Sequence, residues 1–111
     1  MKELIEKTSI GPAVLKKYMQ EACDEGCRLV QIHANRLDGR YELIYSLALE
    51  YRLIQLYMVI LEDTAVESIS DIYPAAQLYE QEMAELFGVK ISGIAEDPHV
   101  KLYHVKDHPM K

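Results

Sequence analysis

The chain has 111 residues, half of them hydrophobic, and 18 acidic against 12 basic residues give a net charge of -6. This apolar content suffices for one compact core, and residues 1–111 are interpreted as a single domain. The bases are scattered and the balance is acidic, which argues against nucleic acid as a partner. The start lacks an apolar core of signal-peptide length, and no apolar run approaches the roughly 20 residues that span a bilayer, so we expect a cytoplasmic protein.

The first predicted element is a helix that begins near Thr8–Pro12 and ends near Glu25. Its apolar residues recur at spacings of three and four, as on one face of a helix. Residues 28–36 then alternate between apolar and polar side chains, which predicts a half-buried strand. Asp38-Gly39 follows, a dipeptide typical of a hairpin turn.

Two further strands are predicted over residues 41–49 and 52–61. The first alternates and is expected to pair antiparallel with the strand at 28–36. The second is apolar on both faces, so either both faces are covered or one meets a partner. The turn between them contains no Gly, Asn or Pro, which leaves its position uncertain by a few residues.

A second helix and a polar tail complete the chain. The tail, residues 92–111, is predicted to be extended, with an edge strand at 100–105. The element order predicts an α+β fold: an N-terminal helix, an antiparallel sheet of three to four strands, a second helix packed on the sheet, and the extended tail.

The second helix lies in residues 71–89, which read DIYPAAQLYEQEMAELFGV. Pro74 suits the first helical position, and Gly88 suits the left-handed residue that ends a helix. At about 100° per residue, Glu80 and Glu82 fall on the two flanks of one apolar stripe. That stripe contains Ala76, Tyr79, Met83, Leu86 and Phe87. Spacing alone therefore indicates an amphipathic helix with solvated acidic side chains.

Three strings of this helix, Pro74-Ala75-Ala76, Tyr79-Glu80-Gln81-Glu82 and Glu85-Leu86-Phe87-Gly88, resemble the signature of the 30-kilodalton, or C chain, family of respiratory complex I. In that family the protein holds no cofactor and clamps the large catalytic subunit. The resemblance thus implies a non-catalytic accessory subunit.

The resemblance also supplies the candidate site. Glu82 and Glu85 share one side of the helix, and we expect them to meet arginines of a partner. The positions carried over as motif and partner-interface residues are Tyr73, Pro74, Glu80, Glu82, Glu85, Phe87 and Gly88.

Departures from the family pattern favour one branch of it. Gln81 stands where the family usually has arginine, and Gly93 is followed by Ile94 where the family continues with G-H-P-D-L-R-R. With its short length, the chain is most similar to the small hydrophilic subunit of energy-converting, membrane-bound nickel-iron hydrogenases and formate hydrogenlyases.

This branch implies particular partners and a location. They are a hydrogenase-type large subunit and an iron-sulfur small subunit, which would hold the nickel-iron centre and the iron-sulfur clusters, with no cofactor in this chain. The chain would lie on the inner face of the cell membrane, as a peripheral part of an electron-transport complex of hydrogenase or NADH dehydrogenase type.

The residues themselves offer little catalytic chemistry. Cys23 and Cys27 are too few for an iron-sulfur cluster and are interpreted as reduced, packed thiols. His99, His104 and His108 crowd the tail, but prolines interrupt it, so solvated or partner-contacting histidines are favoured over a metal site. No phosphate loop or nucleophile motif is present, and we expect no enzyme activity from the chain alone.

Two alternatives remain open. The first is a stand-alone homodimeric α+β binding domain whose sheet packs on its own copy. The second is a small metal enzyme that uses the tail histidines.

Overall fold

The fold is a four-stranded sheet with two helices on one of its faces, and the computed structural model describes it for residues 4–93. The elements in chain order are β1 (Leu4–Ser9), α1 (Leu15–Asp24), β2 (Arg28–Leu37), β3 (Arg40–Leu49), β4 (Arg52–Leu61), β5 (Ala65–Glu67), α2 (Ala76–Phe87) and β6 (Lys90–Ser92). A short 3-10 turn, Pro12–Val14, leads into α1. The α+β class and both predicted helices are confirmed.

The sheet is mixed, so the prediction of a purely antiparallel sheet is wrong. Its strand order is β1-β4-β3-β2, with β1 parallel to β4 and the other pairs antiparallel. The strand β1 was missed because it is a short edge strand that carries Glu6 and Lys7, and charges are common on edges. Glu6 accepts a hydrogen bond of 3.0 Å from Nε of Arg52 on β4.

Both connections between β2, β3 and β4 are tight. Asp38-Gly39 forms the first turn, as predicted, with Gly39 at a positive φ of 74°. The second turn is at Glu50-Tyr51, where Glu50 adopts a φ of 56° without being glycine. Local sequence gave no signal for this turn because neither residue favours that conformation.

A second, two-stranded sheet brackets α2. The strands β5 and β6 pair in parallel, and Ser68 N–H continues the contact by donating a 2.8 Å hydrogen bond to the Ser92 carbonyl. Neither strand was predicted, since three residues are too few for a period to show. Of the predicted tail, residues 94–111, including the expected edge strand at 100–105, lie outside the described residues.

The core lies between the sheet and the two helices. It is one cluster to which the helices contribute Leu15, Met19, Ala76 and Met83. The sheet contributes Ile32, Ala34, Tyr41, Leu43, Tyr45, Leu47, Leu56, Met58 and Ile60.

The opposite face of the sheet has no described helix on it. The open sheet face is defined here by Ile44 and Tyr57, which are half-buried, and by Val59 and Leu61, which are exposed. The strand β4 therefore buries one apolar face and leaves the other uncovered in the described part of the chain, one of the two outcomes its sequence allows. Between residues 4 and 93, neither helix is long and apolar enough to cross a membrane.

Candidate partner interface

The helix α2 starts later than predicted and ends as predicted. It begins at Ala76, whose N–H donates a 2.8 Å hydrogen bond to the Tyr73 carbonyl. Tyr73 and Pro74 therefore lie in the turn before the helix, and the expectation that Pro74 takes the first helical position is wrong by two residues. Gly88 ends the helix with φ 81° and ψ 17°, the left-handed conformation that glycine adopts without steric cost.

Glu80 is buried, which corrects its predicted place on a solvated flank. Its side chain is 0% exposed. The carboxylate accepts hydrogen bonds from Ser68 Oγ at 2.7 Å and from Ile69 N–H at 2.8 Å. Ser70 Oγ lies 2.8 Å from Ser68 Oγ and extends this network toward the surface. The motif glutamate thus ties the middle of α2 to the loop after β5.

The helical period explains this burial. Ala76, Glu80 and Met83 follow each other at spacings of four and three, and all three are buried on α2. Glu80 therefore lies inside the stripe that faces the core. Desolvation raises the pKa of Glu80, and the hydrogen bonds from Ile69 and Ser68 partly offset this by stabilising the charged form.

Two tyrosine hydroxyls attach α2 and its preceding turn to β2. Tyr73 Oη donates a buried hydrogen bond of 2.7 Å to the Cys27 carbonyl, and Tyr79 Oη donates one of 3.0 Å to the Val30 carbonyl. Burial is the main cause that raises the pKa of Tyr73 to about 12, so its hydroxyl keeps the proton that it donates. These bonds fix the helix against the strand at the edge of the sheet.

A third tyrosine holds the end of α2. Tyr41 Oη, from β3, donates a hydrogen bond to the Phe87 carbonyl. A Cβ added at Gly88 would lie 3.3 Å from Tyr41 Oη, so the helix end and the tyrosine are in close contact. Phe87 itself is half-buried and packs against the core.

The remaining motif residues point away from the core. Glu82 and Glu85 are exposed and lie on one side of α2, as predicted. Leu78 and Leu86 share that side, and each is 67% exposed. The prediction that Leu86 belongs to the apolar core stripe is therefore wrong, and the exposure of Leu78 was not anticipated. These four residues, Leu78, Glu82, Glu85 and Leu86, are called the outward face of α2 below.

The cysteines are free thiols close to the start of β2. Cys27 is buried, and desolvation is the first cause that raises the pKa of its thiol; Cys23 is half-buried. Among residues 4–93, no three His, Cys, Asp or Glu side chains converge as metal ligands would. His99, His104 and His108 lie outside the described residues, so their role stays a prediction.

The fold is shared with solved structures of two proteins. A chain of the membrane-bound sulfane sulfur reductase, an archaeal respiratory membrane complex, superposes with a TM-score of 0.73 at 22% identity, covering 87% of this chain and 66% of that one. The trypsin-resistant fragment (1-134) of Nqo5 superposes with a TM-score of 0.69 at 17% identity, covering 80% of each chain. At these identities the likeness concerns the fold alone.

Sequence comparison identifies the family. The model of the family described as respiratory-chain NADH dehydrogenase, 30 Kd subunit, matches residues 8–111. The chain therefore belongs to this family, and the resemblance seen in the signature helix is confirmed.

Curated relatives bear similar names. The C-type subunit of the NADH-quinone oxidoreductase of Cereibacter sphaeroides is 31% identical over 98 residues, which cover 79% of this chain and 48% of that protein. Its counterpart of the same name from Roseobacter denitrificans is 29% identical over 97 residues, covering 79% and 49%. This chain thus spans about half the length of these relatives. The hydrogenase branch of the resemblance stays a prediction.

Proposed function

We propose that the chain is a non-catalytic accessory subunit of a membrane-associated oxidoreductase complex and that it docks to the large catalytic subunit. The complex would be of the NADH dehydrogenase type or of the energy-converting hydrogenase type. Membership of the 30 Kd subunit family carries the proposal, because the curated relatives are named as subunits of NADH-quinone oxidoreductase.

In this proposal the redox chemistry belongs to the partners. A hydrogenase-type large subunit and an iron-sulfur small subunit would hold the nickel-iron centre and the iron-sulfur clusters. The chain would reach the inner face of the cell membrane through the complex, as a peripheral subunit.

The open sheet face is the first candidate for contact with the large subunit. Tyr57, Val59 and Leu61 line up along β4 on this face, and Ile44 lies beside Tyr57 on β3. Exposed apolar side chains that lie side by side, with polar ones such as Glu42 and Gln55 around them, are typical of surfaces that bind another protein.

Purification of the tagged chain from its native membrane fraction, followed by mass spectrometry, tests the proposal. Recovery of a nickel-iron large subunit and an iron-sulfur small subunit, or of their NADH dehydrogenase counterparts, is the expected result. Recovery of the chain alone, as a sharp dimer, would overturn the proposal and favour a stand-alone homodimeric domain.

A pair of variants tests the surface. Tyr57→Asp should lower the yield of the large subunit, because a carboxylate would be buried in an apolar contact. Tyr51→Asp is the matched control, since Tyr51 lies in the β3–β4 turn and is 91% exposed. Leu56 is unsuitable as a probe because it faces the core, so a charge there would test folding. Equal yields from both variants would exclude the open sheet face.

A further inference from the structure

We infer that the outward face of α2 docks into an apolar groove that is rimmed by arginine or lysine side chains on a partner subunit. The inference rests on the proposed function and adds to it a second contact surface with a stated partner chemistry. It is carried by three features of α2: its exposed leucines, its charge and its fixed position.

The leucines provide the apolar part of the contact. Leu78 and Leu86 lie eight residues apart, about 12 Å along the helix axis. Each is 67% exposed. A single exposed leucine on a protein surface is ordinary. Two of them on one side of a short helix form the spaced anchors by which amphipathic helices bind grooves.

The glutamates define the rim of the groove. Glu82 and Glu85 lie between the two leucines, and the four residues fall within an arc of about 100° at 100° per residue. The chain also has a net charge of -6. A partner surface with arginine or lysine around an apolar groove complements this pattern, and arginine pairs with carboxylates through two parallel hydrogen bonds.

The fixed position of α2 lowers the entropic cost of docking. Glu80 is held by Ser68 and Ile69, and Tyr73 and Tyr79 are hydrogen bonded to the backbone of β2 and the residue before it. A helix that is already held in place loses little conformational freedom when a partner covers it. The inward bonds of the signature helix therefore present its outward face as a rigid ridge.

Site-specific photocrosslinking identifies the occupant. A photoreactive residue is placed at Leu78 or at Leu86 in the tagged full chain, expressed in its native host, and the adducts are mapped in the purified complex. We expect adducts to one partner subunit, at a segment that has arginine or lysine beside apolar residues. Adducts to a second copy of the chain, adducts to an acidic segment, or no adducts in an intact complex would overturn the inference.

Neutral variants measure the contribution of each feature. Leu78→Gln with Leu86→Gln keeps good helix formers and should weaken retention in the complex about tenfold, with Tyr51→Gln as the apolar control. Glu82→Gln with Glu85→Gln should reduce the loss of binding at high salt, with Glu21→Gln on α1 as the charge control. Unchanged retention for the leucine pair, or an unchanged salt dependence, would contradict the inference.

The two proposals fail in different ways. If the unaltered chain purifies without a partner, the proposed function fails. If the unaltered chain brings its complex and the α2 variants bring it equally well, only the inference about α2 fails. The melting temperature of each variant separates lost docking from lost folding.

Discussion

The backbone N–H of Ile69 donates a 2.8 Å hydrogen bond to the buried carboxylate of Glu80, and so joins the loop after β5 to the middle of α2. Ser68 adds a second bond of 2.7 Å to the same carboxylate. The signature helix thus has two sides with different tasks: the inward side holds the helix on the domain, while Glu82 and Glu85 face outward.

Removal of the Glu80 carboxylate should destabilise the domain. Glu80→Ala leaves a cavity and deprives Ser68 and the Ile69 N–H of their acceptor, so we expect a loss of about 2–4 kcal/mol in the free energy of unfolding. The exposed Glu82→Ala is the matched control and should change it by less than about 0.5 kcal/mol. Urea denaturation measures both, and equal effects would show that the network around Glu80 does not stabilise the fold.

Glu80 should also make stability depend on pH. Because the pKa of Glu80 is raised in the folded state, the folded domain binds more protons than the unfolded chain between the unfolded and the folded pKa. The stabilising contribution is therefore complete below the unfolded pKa and is lost as the pH rises through the folded pKa. Glu80→Gln should remove this decline, and denaturation of both proteins across the acidic range measures it. A stability difference between them that does not vary with pH would contradict the prediction.

Gly88→Ala should destabilise more than the same change at another glycine of positive φ. At Gly88 the new Cβ meets Tyr41 Oη at 3.3 Å, and that hydroxyl is held by its bond to the Phe87 carbonyl. At Gly39, φ is 74° but no atom lies within 4 Å of the added Cβ. We expect about 1 kcal/mol for Gly39→Ala and a larger loss for Gly88→Ala. Thermal unfolding gives the comparison, and a reversed order would contradict it.

Two buried tyrosines should respond oppositely to removal of their hydroxyls. Tyr73→Phe breaks the 2.7 Å bond to the Cys27 carbonyl and should cost about 1 kcal/mol or more, since that carbonyl loses its donor. Tyr45 Oη is buried and has no hydrogen-bond partner among the described residues. Tyr45→Phe should therefore be neutral or stabilising by up to about 1 kcal/mol. Denaturation curves that show equal losses for both variants would contradict this account.

Sequence reasoning found the elements that carry strong local signals. The alternation of β2 and β3, the Asp38-Gly39 turn and the left-handed Gly88 all correspond to the structure. It missed β1 because this charged edge strand is defined by its pairing with β4, a contact between residues about 48 positions apart.

The same limit explains the error at Glu80. An acidic residue on an amphipathic helix is usually solvated, and the donors that satisfy this one come from Ser68 and Ile69, outside the helix. The spacing of Ala76, Glu80 and Met83 carried the signal that Glu80 lies in the buried stripe. The exposure of Leu78 and Leu86 became evident only once the sheet fixed the rotation of the helix.

The most direct test of a docking protein with a two-sided signature helix is hydroxyl-radical footprinting of the full chain, free and within its purified complex. We predict that Leu78, Leu86 and Tyr57 are oxidised in the free chain and protected in the complex, while the buried Met83 is protected in both states. If Leu78, Leu86 and Tyr57 remain as reactive in the complex as in the free chain, the central claim is wrong.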